Sequence, residues 1–234
     1  MELNPLALTF IPGNEIIVKV AEKNYDSLSI EANNFEVIIN PPVCVRPLNA
    51  NNSEIDVELE NLDDDILQVL NNIKTKNLNN VVIGLLNVNS FSSKFDALKT
   101  IIPGKVDILI IVETKLDYSY PTSQFYISGY SKPFRHDRDK HGGGVLAYIR
   151  EDIPCKILGN HNDLPDDIEG LFIELNFRKS KLLLLATYHP PSQADTYYFR
   201  CIGNALEKYI TKYDKFLLVG DFNAEEKETI MSNF

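Results

Sequence analysis

Apolar and polar positions change their texture once along the chain, near residue 80. Beyond it, short aliphatic runs alternate with polar turns: Val81–Leu86, Ile108–Val112, Val145–Ile149, Leu171–Leu175, Leu182–Ala186 and Phe216–Val219. Each run is bounded by turn residues and too short for an average helix, so the pattern predicts strands buried on both faces. Two stretches between them follow helical spacing. Ser92–Ile102 carries Phe95, Leu98, Ile101 and Ile102 on one side, and Asp195–Tyr213 carries Phe199, Ile202, Leu206, Tyr209 and Tyr213, with Asp195 placed as an N-cap. The prediction is a mixed α/β domain with buried sheets and no internal repeat.

Before residue 80 the pattern is weaker. Two strand-like pieces, Glu15–Val20 and Phe35–Ile39, sit among prolines, acids and asparagines. Asparagine occurs 15 times in residues 1–80, which assigns residues 13–78 mainly to an acidic, loosely ordered linker. A helix is expected near residues 63–76, because Asp63, Asp64 and Asp65 suit a helix N-terminus and Ile66, Leu70 and Ile73 follow at helical spacing. Residues 79–234 then form the α/β domain.

Charge narrows the possible ligands. The net charge is −10, and residues 1–80 hold 13 acids against 5 bases. A chain this acidic is a poor indiscriminate binder of nucleic acid, so a polyanion site has to be local or built around metal ions. No apolar run approaches the ~20 residues of a membrane span, and the N-terminus has no secretory signal pattern. Three widely spaced cysteines, Cys44, Cys155 and Cys201, suggest a reducing compartment and an intracellular protein, nuclear or cytoplasmic.

Four strands end alike. Val81–Leu86 runs into Asn87 and Asn89, Ile108–Val112 into Glu113, Leu182–Thr187 into Tyr188, and Phe216–Gly220 into Asp221 and Asn223. Asn and Asp commonly begin turns, which would account for any one of these alone. Glu113 is harder to explain in that way, because a carboxylate directly after an aliphatic run is costly to half-bury without a cation or donor. Taken together the strand ends suggest one shared site, a hard cation ligated by oxygen with amide and phenol donors around a phosphate.

The ordered motifs "LLNVNS", "DILIIVETKLD", "GGGVLAYIR", "ATYHPPS" and "LVGDFNA" resemble the endonuclease/exonuclease/phosphatase family, which includes DNase I and the apurinic endonucleases. The likeness is strongest to the endonuclease domains of non-LTR (LINE-type) retrotransposons, and it spans about residues 78–226. It implies a DNase I-like four-layer α/β sandwich acting on DNA with Mg²⁺, or Mn²⁺ in its place. It also implies residue roles: Glu113 binds the metal, with Asn89 at a position where many relatives carry an aspartate. Asn87 and Tyr188 are active-site donors, Asp221 orients or deprotonates the attacking water, and Asn223 holds the phosphate.

The segment from Ser131 to Gly144 is the one locally basic stretch. It reads either as a solvated loop with internal ion pairs or as a DNA-backbone contact through Arg135, Arg138 and Lys140. His189 has no catalytic role implied by the resemblance. At the start of the chain, Leu3, Asn4, Ala7, Phe10 and Pro12 match the "LNxxAxxFxP" peptide that binds the MLLE domain of poly(A)-binding protein, so residues 1–12 read as a partner-binding peptide.

Family members continue past the "GDFN" element to further strands and a closing Ser-Asp-His motif, whereas Ala224–Phe234 carries neither His nor Asp. The expectation is therefore a domain with its C-terminal part missing, a weak or inactive nuclease with open strand edges prone to self-association. Whether the chain is an enzyme is left open at this point. Two alternatives stand beside the nuclease: a phosphatase of the same fold acting on a small substrate, and a non-catalytic retrotransposon fragment tethered to poly(A)-binding protein. A peptide of residues 1–14 is expected to bind the MLLE domain, with Phe10→Ala removing about 3 kcal/mol. A titration in which that change is neutral marks the match as accidental.

Overall fold

A computed structural model describes residues 15–20, 35–40, 62–76, 78, 81–158, 163–177, 180–209, 211–213 and 215–223. The peptide match at residues 1–12 lies outside them. The elements in chain order are β1 (Glu15–Val20), β2 (Phe35–Asn40), α1 (Leu62–Lys76), β3 (Val81–Asn87), α2 (Phe95–Ile101), β4 (Ile108–Val112), β5 (Phe134–His136), β6 (Val145–Ile149), β7 (Cys155–Leu158), β8 (Glu169–Phe177), β9 (Ser180–Tyr188), α3 (Asp195–Glu207) and β10 (Lys215–Asp221). Among the described residues no helix is long and apolar enough to cross a membrane.

The strands form two five-stranded sheets, ordered β1-β10-β9-β8-β7 and β2-β3-β4-β6-β5. Their side chains alternate with period 2, and both faces of each central strand are apolar. Ile83, Ile108, Ile110, Val145 and Ala147 from one sheet meet Leu171, Ile173, Leu184, Leu217 and Val219 from the other in one central cluster. The opposite faces bury Leu109, Ile111 and Tyr148 under α1 and α2, and Phe172, Leu183 and Phe216 under α3. Helix, sheet, sheet, helix is thus the layer order, a four-layer α/β sandwich of the DNase I-like class.

The predicted strands are all present, each lengthened by a residue or more except β4 and β6. Helix α3 is shorter than its apolar spacing suggested. It stops at Glu207, and Tyr209 and Tyr213 reach the same cluster from the turns that follow. Asp195 is its first helical residue, and Ala194 occupies the N-cap position without a side-chain bond. The two strand-like pieces assigned by composition to a linker are strands. β1 runs parallel to β10, pairing Glu15 with Lys215 through Val20 with Gly220, and β2 runs antiparallel to β3. The edges of β10 and β3 are therefore occupied, where open strand edges were expected for a domain without its C-terminal part. The reason is generic, since a row of unpaired N–H and C=O groups along an aliphatic strand is stabilised by any extended segment that satisfies it.

Buried charges fasten the layers. Asp107 accepts from Lys74 Nζ at 2.6 Å on α1, from Val82 N at 2.7 Å on β3, and from Arg150 at the end of β6. Glu174 on β8 accepts from the Tyr213 hydroxyl at 2.5 Å and from Asn176 Nδ2 at 3.2 Å, with Lys156 and Lys181 at 3.3 and 3.6 Å. The Tyr213 bond first, then Asn176 and Lys156, hold its carboxyl below the ordinary 4.5, against the opposing effect of burial. An acid with a depressed folded-state pKa contributes stability above its unfolded value that is lost as pH falls through the folded one. Urea unfolding across the window below 4.5 should thus show a shallower acid slope for Tyr213→Phe than for the wild type. Equal slopes would remove Glu174 from the acid limb.

Candidate active site

The parallel pairs set the site. β3 and β4 end side by side, with Asn87 opposite Val112, and β9 and β10 end side by side, with Tyr188 opposite Asp221. Asn87, Tyr188 and Asp221 each continue the inward-facing alternation of their strands, so all three face the space between the sheets. By the same alternation Glu113, one residue past β4, would face the outer layer. Its backbone is left-handed, with φ +55°, and its carboxylate meets Asn87 and Tyr188 instead. Of the five non-glycine residues with positive φ among those described, Asn89, Glu113, Lys115 and Asn223 also surround this point. For Glu and Lys such a backbone costs about 1–2 kcal/mol, a concentration of strain expected where a site fixes side-chain direction.

The contacts are close. Asn87 Nδ2 donates to Glu113 Oε1 at 3.1 Å and to Asp221 Oδ2 at 2.9 Å. The Tyr188 hydroxyl donates to Glu113 Oε1 at 2.8 Å. Asn89 N donates to Asn87 Oδ1 at 3.1 Å, and Asn223 N to Asp221 Oδ1 at 3.1 Å. Asn223 Nδ2 donates to the His189 carbonyl at 2.7 Å, while its Oδ1 is buried without a hydrogen-bond partner. Asp221 is 2% exposed and Glu113 9%. Two nearly buried carboxylates on one amide repel each other, and a cation beside them would relieve that repulsion.

Among the described residues no three or more His, Cys, Asp and Glu are grouped so as to cage a metal ion. The donor set does fit Mg²⁺, which takes one or two carboxylates and keeps several waters. Glu113 and Asn223 Oδ1, which has no hydrogen-bond partner, would supply oxygen ligands. Asn89 is placed differently from expectation. Its Oδ1 accepts from Lys115 Nζ, so an ammonium faces the oxygen that a metal would need. Lys94 Nζ donates to Val88 O at 2.5 Å close by, and burial, then the charge of Lys115, lower its pKa below the ordinary 10.5. These two lysines are the local positive charge that the sequence reading sought elsewhere. The only sequence signal was adjacency to "NVNS" and "ET".

In the basic segment Arg135 is turned inward, while Arg138 is exposed and paired with an acid. Arg135 lies in β5 with its guanidinium on Asp137, the Tyr120 and Asp117 carbonyls and Thr122 Oγ1, stacked over Phe125. It fastens a loop and is not available to a DNA backbone. Arg138 Nη1 donates at 2.7 Å to Glu169, whose Oε2 accepts from Gly144 N. Burial raises the Glu169 pKa above its ordinary 4.5, against those two partners. Lys140 alone of the three is exposed without such a tie.

The chain belongs to the Endonuclease/Exonuclease/phosphatase family, whose model matches residues 84–229. A search of curated proteins finds no match. Among solved structures, a 3′ phosphatase from Neisseria bound to product DNA hairpin is similar at 21% identity and TM-score 0.45, over 60% of this chain and 57% of that one. The endonuclease domain of TRAS1, a telomere-specific non-LTR retrotransposon, is similar at 15% identity and TM-score 0.44, over 64% and 68%. An AP endonuclease from Leishmania major is similar at 18% identity and TM-score 0.47, over 62% and 56%. The chain thus spans little more than half the length of the first and third.

The "GGG" element supports the site from behind. Thr114 N and Lys115 N donate to the Gly144 and Gly143 carbonyls at 3.3 and 2.9 Å. Gly144 has φ +91°, and a Cβ there would lie 2.2 Å from Thr114 Oγ1. Gly144→Ala should therefore destabilise the fold by about 2 kcal/mol and shift the amide resonances of Glu113 and Thr114. Unchanged melting and unchanged resonances would show that this contact does not fix the Glu113 turn.

Proposed function

We propose that this chain is a Mg²⁺-dependent phosphodiesterase that hydrolyses DNA, an endonuclease domain of the non-LTR retrotransposon kind. One observation carries the reading: a single amide, Asn87 Nδ2, bridges Glu113 of one sheet and Asp221 of the other. The bridge supports reading Glu113 as a metal-binding carboxylate and Asp221 as a base in a chain of this family. Glu113 would hold the metal with its bound waters, and the metal supplies charge neutralisation at the phosphate oxygens. Asp221, held by Asn87 and by Asn223 N, accepts a proton from the attacking water. Tyr188 and Asn87 are neutral donors placed beside developing negative charge. Lys94 and Lys115 draw the phosphodiester to the rim of an otherwise acidic protein. The retrotransposon assignment is supported by "GGGVLAYIR" and "ATYHPPS". Binding of poly(A)-binding protein through Leu3, Asn4, Ala7, Phe10 and Pro12 is proposed as a separate tether.

Supercoiled plasmid, inositol phosphates and nucleotides offered with Mg²⁺ test the substrate class. The expected outcome is weak plasmid nicking, lost on chelation and slowed a further ~10²–10⁴-fold by Asp221→Asn. Calorimetric Mg²⁺ titration should show binding to the wild type and its loss in Glu113→Gln. Equal metal binding in both proteins refutes the metal assignment. Turnover of the small esters with intact plasmid would establish a phosphatase instead.

A further inference from the structure

We propose, resting on the phosphodiesterase reading above, that Glu169 is a positioning residue: its buried side chain latches the glycine turn before β6 and, through that turn, holds the backbone of Glu113. Glu169 is the first residue of β8 and is 2% exposed. Its side chain reaches from its own sheet to the other one. Oε1 accepts from Arg138 Nη1 at 2.7 Å, and Oε2 accepts from Gly144 N. The turn comes this close because residue 143 has no side chain, and a Cβ there would run into both carboxyl oxygens. The path onward to Glu113 is short. The Gly143 and Gly144 carbonyls accept from Lys115 N at 2.9 Å and Thr114 N at 3.3 Å, the two residues that follow the left-handed Glu113.

The backbone of Glu169 is tied to a different part of the site. It stands opposite Tyr188 in the β8–β9 ladder, and its carbonyl accepts from Thr187 Oγ1 at 2.6 Å. Thr187 Oγ1 also pairs with the Tyr198 hydroxyl at 2.6 Å, which fixes the end of β9 from the helical side. Tyr188 and Glu113 are themselves bonded, hydroxyl to Oε1, at 2.8 Å. A closed ring of contacts results, from Glu169 through Gly144 and Thr114 to Glu113, on to Tyr188 and back through the ladder to Glu169. The strained member of that ring is Glu113, whose φ of +55° persists only while its surroundings over-determine it. Burying a carboxyl is unfavourable in itself, and an apolar side chain would fill the same space without that cost. It would also leave Gly144 N buried with no acceptor, and the turn free to shift. Glu169 therefore stands to Glu113 as an outer support stands to a ligand that must point one way.

The test compares the wild type with Glu169→Gln and Glu169→Leu in the full chain, by amide NMR without metal and by calorimetric Mg²⁺ titration. Glu169→Gln keeps the volume but has one acceptor oxygen, so at most one of the two ties survives. Glu169→Leu removes both. Each variant should keep the circular dichroism of the wild type and shift the amide resonances of Gly144, Thr114 and Glu113. Mg²⁺ binding should weaken ~10-fold in Glu169→Gln and up to ~100-fold in Glu169→Leu. A variant with a lower melting temperature but wild-type Glu113 resonances would show that Glu169 serves stability alone, and overturns the proposal. Shifted resonances with unchanged Mg²⁺ binding overturn it as well. Where Glu169→Leu does not fold, Glu169→Gln decides by the same two readings. A wild type that binds no Mg²⁺ and nicks no plasmid refutes the phosphodiesterase reading, and the metal-free resonances of Glu113 then decide whether the latch exists.

Discussion

An amide nitrogen with two hydrogens stands between two sheets, and each hydrogen serves a carboxylate from a different one. Asn87 is on β3, Glu113 follows β4 in the same sheet, and Asp221 ends β10 in the other. The bridge fixes the spacing of the sheets at their C-terminal edge, where the aliphatic packing between them runs out. Remove the amide and two buried carboxylates face each other across a low-dielectric gap, a far larger cost than one ordinary hydrogen bond. The two-sheet sandwich and the site are thus held together by one shared interaction.

The second constraint is direction. Period-2 alternation delivers Asn87, Tyr188 and Asp221 to the space between the sheets without special geometry, but it would send Glu113 outward. The left-handed turn at Glu113 reverses this, and the glycines of "GGG" make room for the turn by leaving no Cβ against Thr114 or Glu169. Gly144 leaves that room against Thr114 from the loop that leads into β6, the strand paired with β4.

The strands that bury both faces were readable as continuous aliphatic runs, and the inward residues at their ends were readable as a set. β5 and β7 were not, because strands half-exposed on the sheet margins carry no such run. β1 and β2 were visible as extended pieces, but an asparagine-rich context says nothing about which edge will take them up. Arg135 looked like a phosphate contact because its partners, Asp117 and the Tyr120 carbonyl, are distant in sequence and invisible to local charge patterning. Lys115 went unassigned for a similar reason, since only the fold sets its ammonium on Asn89. The family motifs gave the fold class, and the matched family model agrees with it.

The strand order also imposes a timetable during synthesis. The sheet that holds Asn87 and Glu113 draws its strands from residues 35–149 and is complete once β6 has emerged. The other sheet pairs residue 15 with residue 215, so its first-made strand waits for its last-made one. At ~5–20 residues per second on the ribosome, the earlier sheet spends several seconds with Ile83, Ile108, Ile110 and Val145 facing water. The nascent chain passes through a stage with one apolar sheet face uncovered and half of the candidate site assembled. In that interval the exposed aliphatic face is open to aggregation, the hazard that chaperones exist to limit.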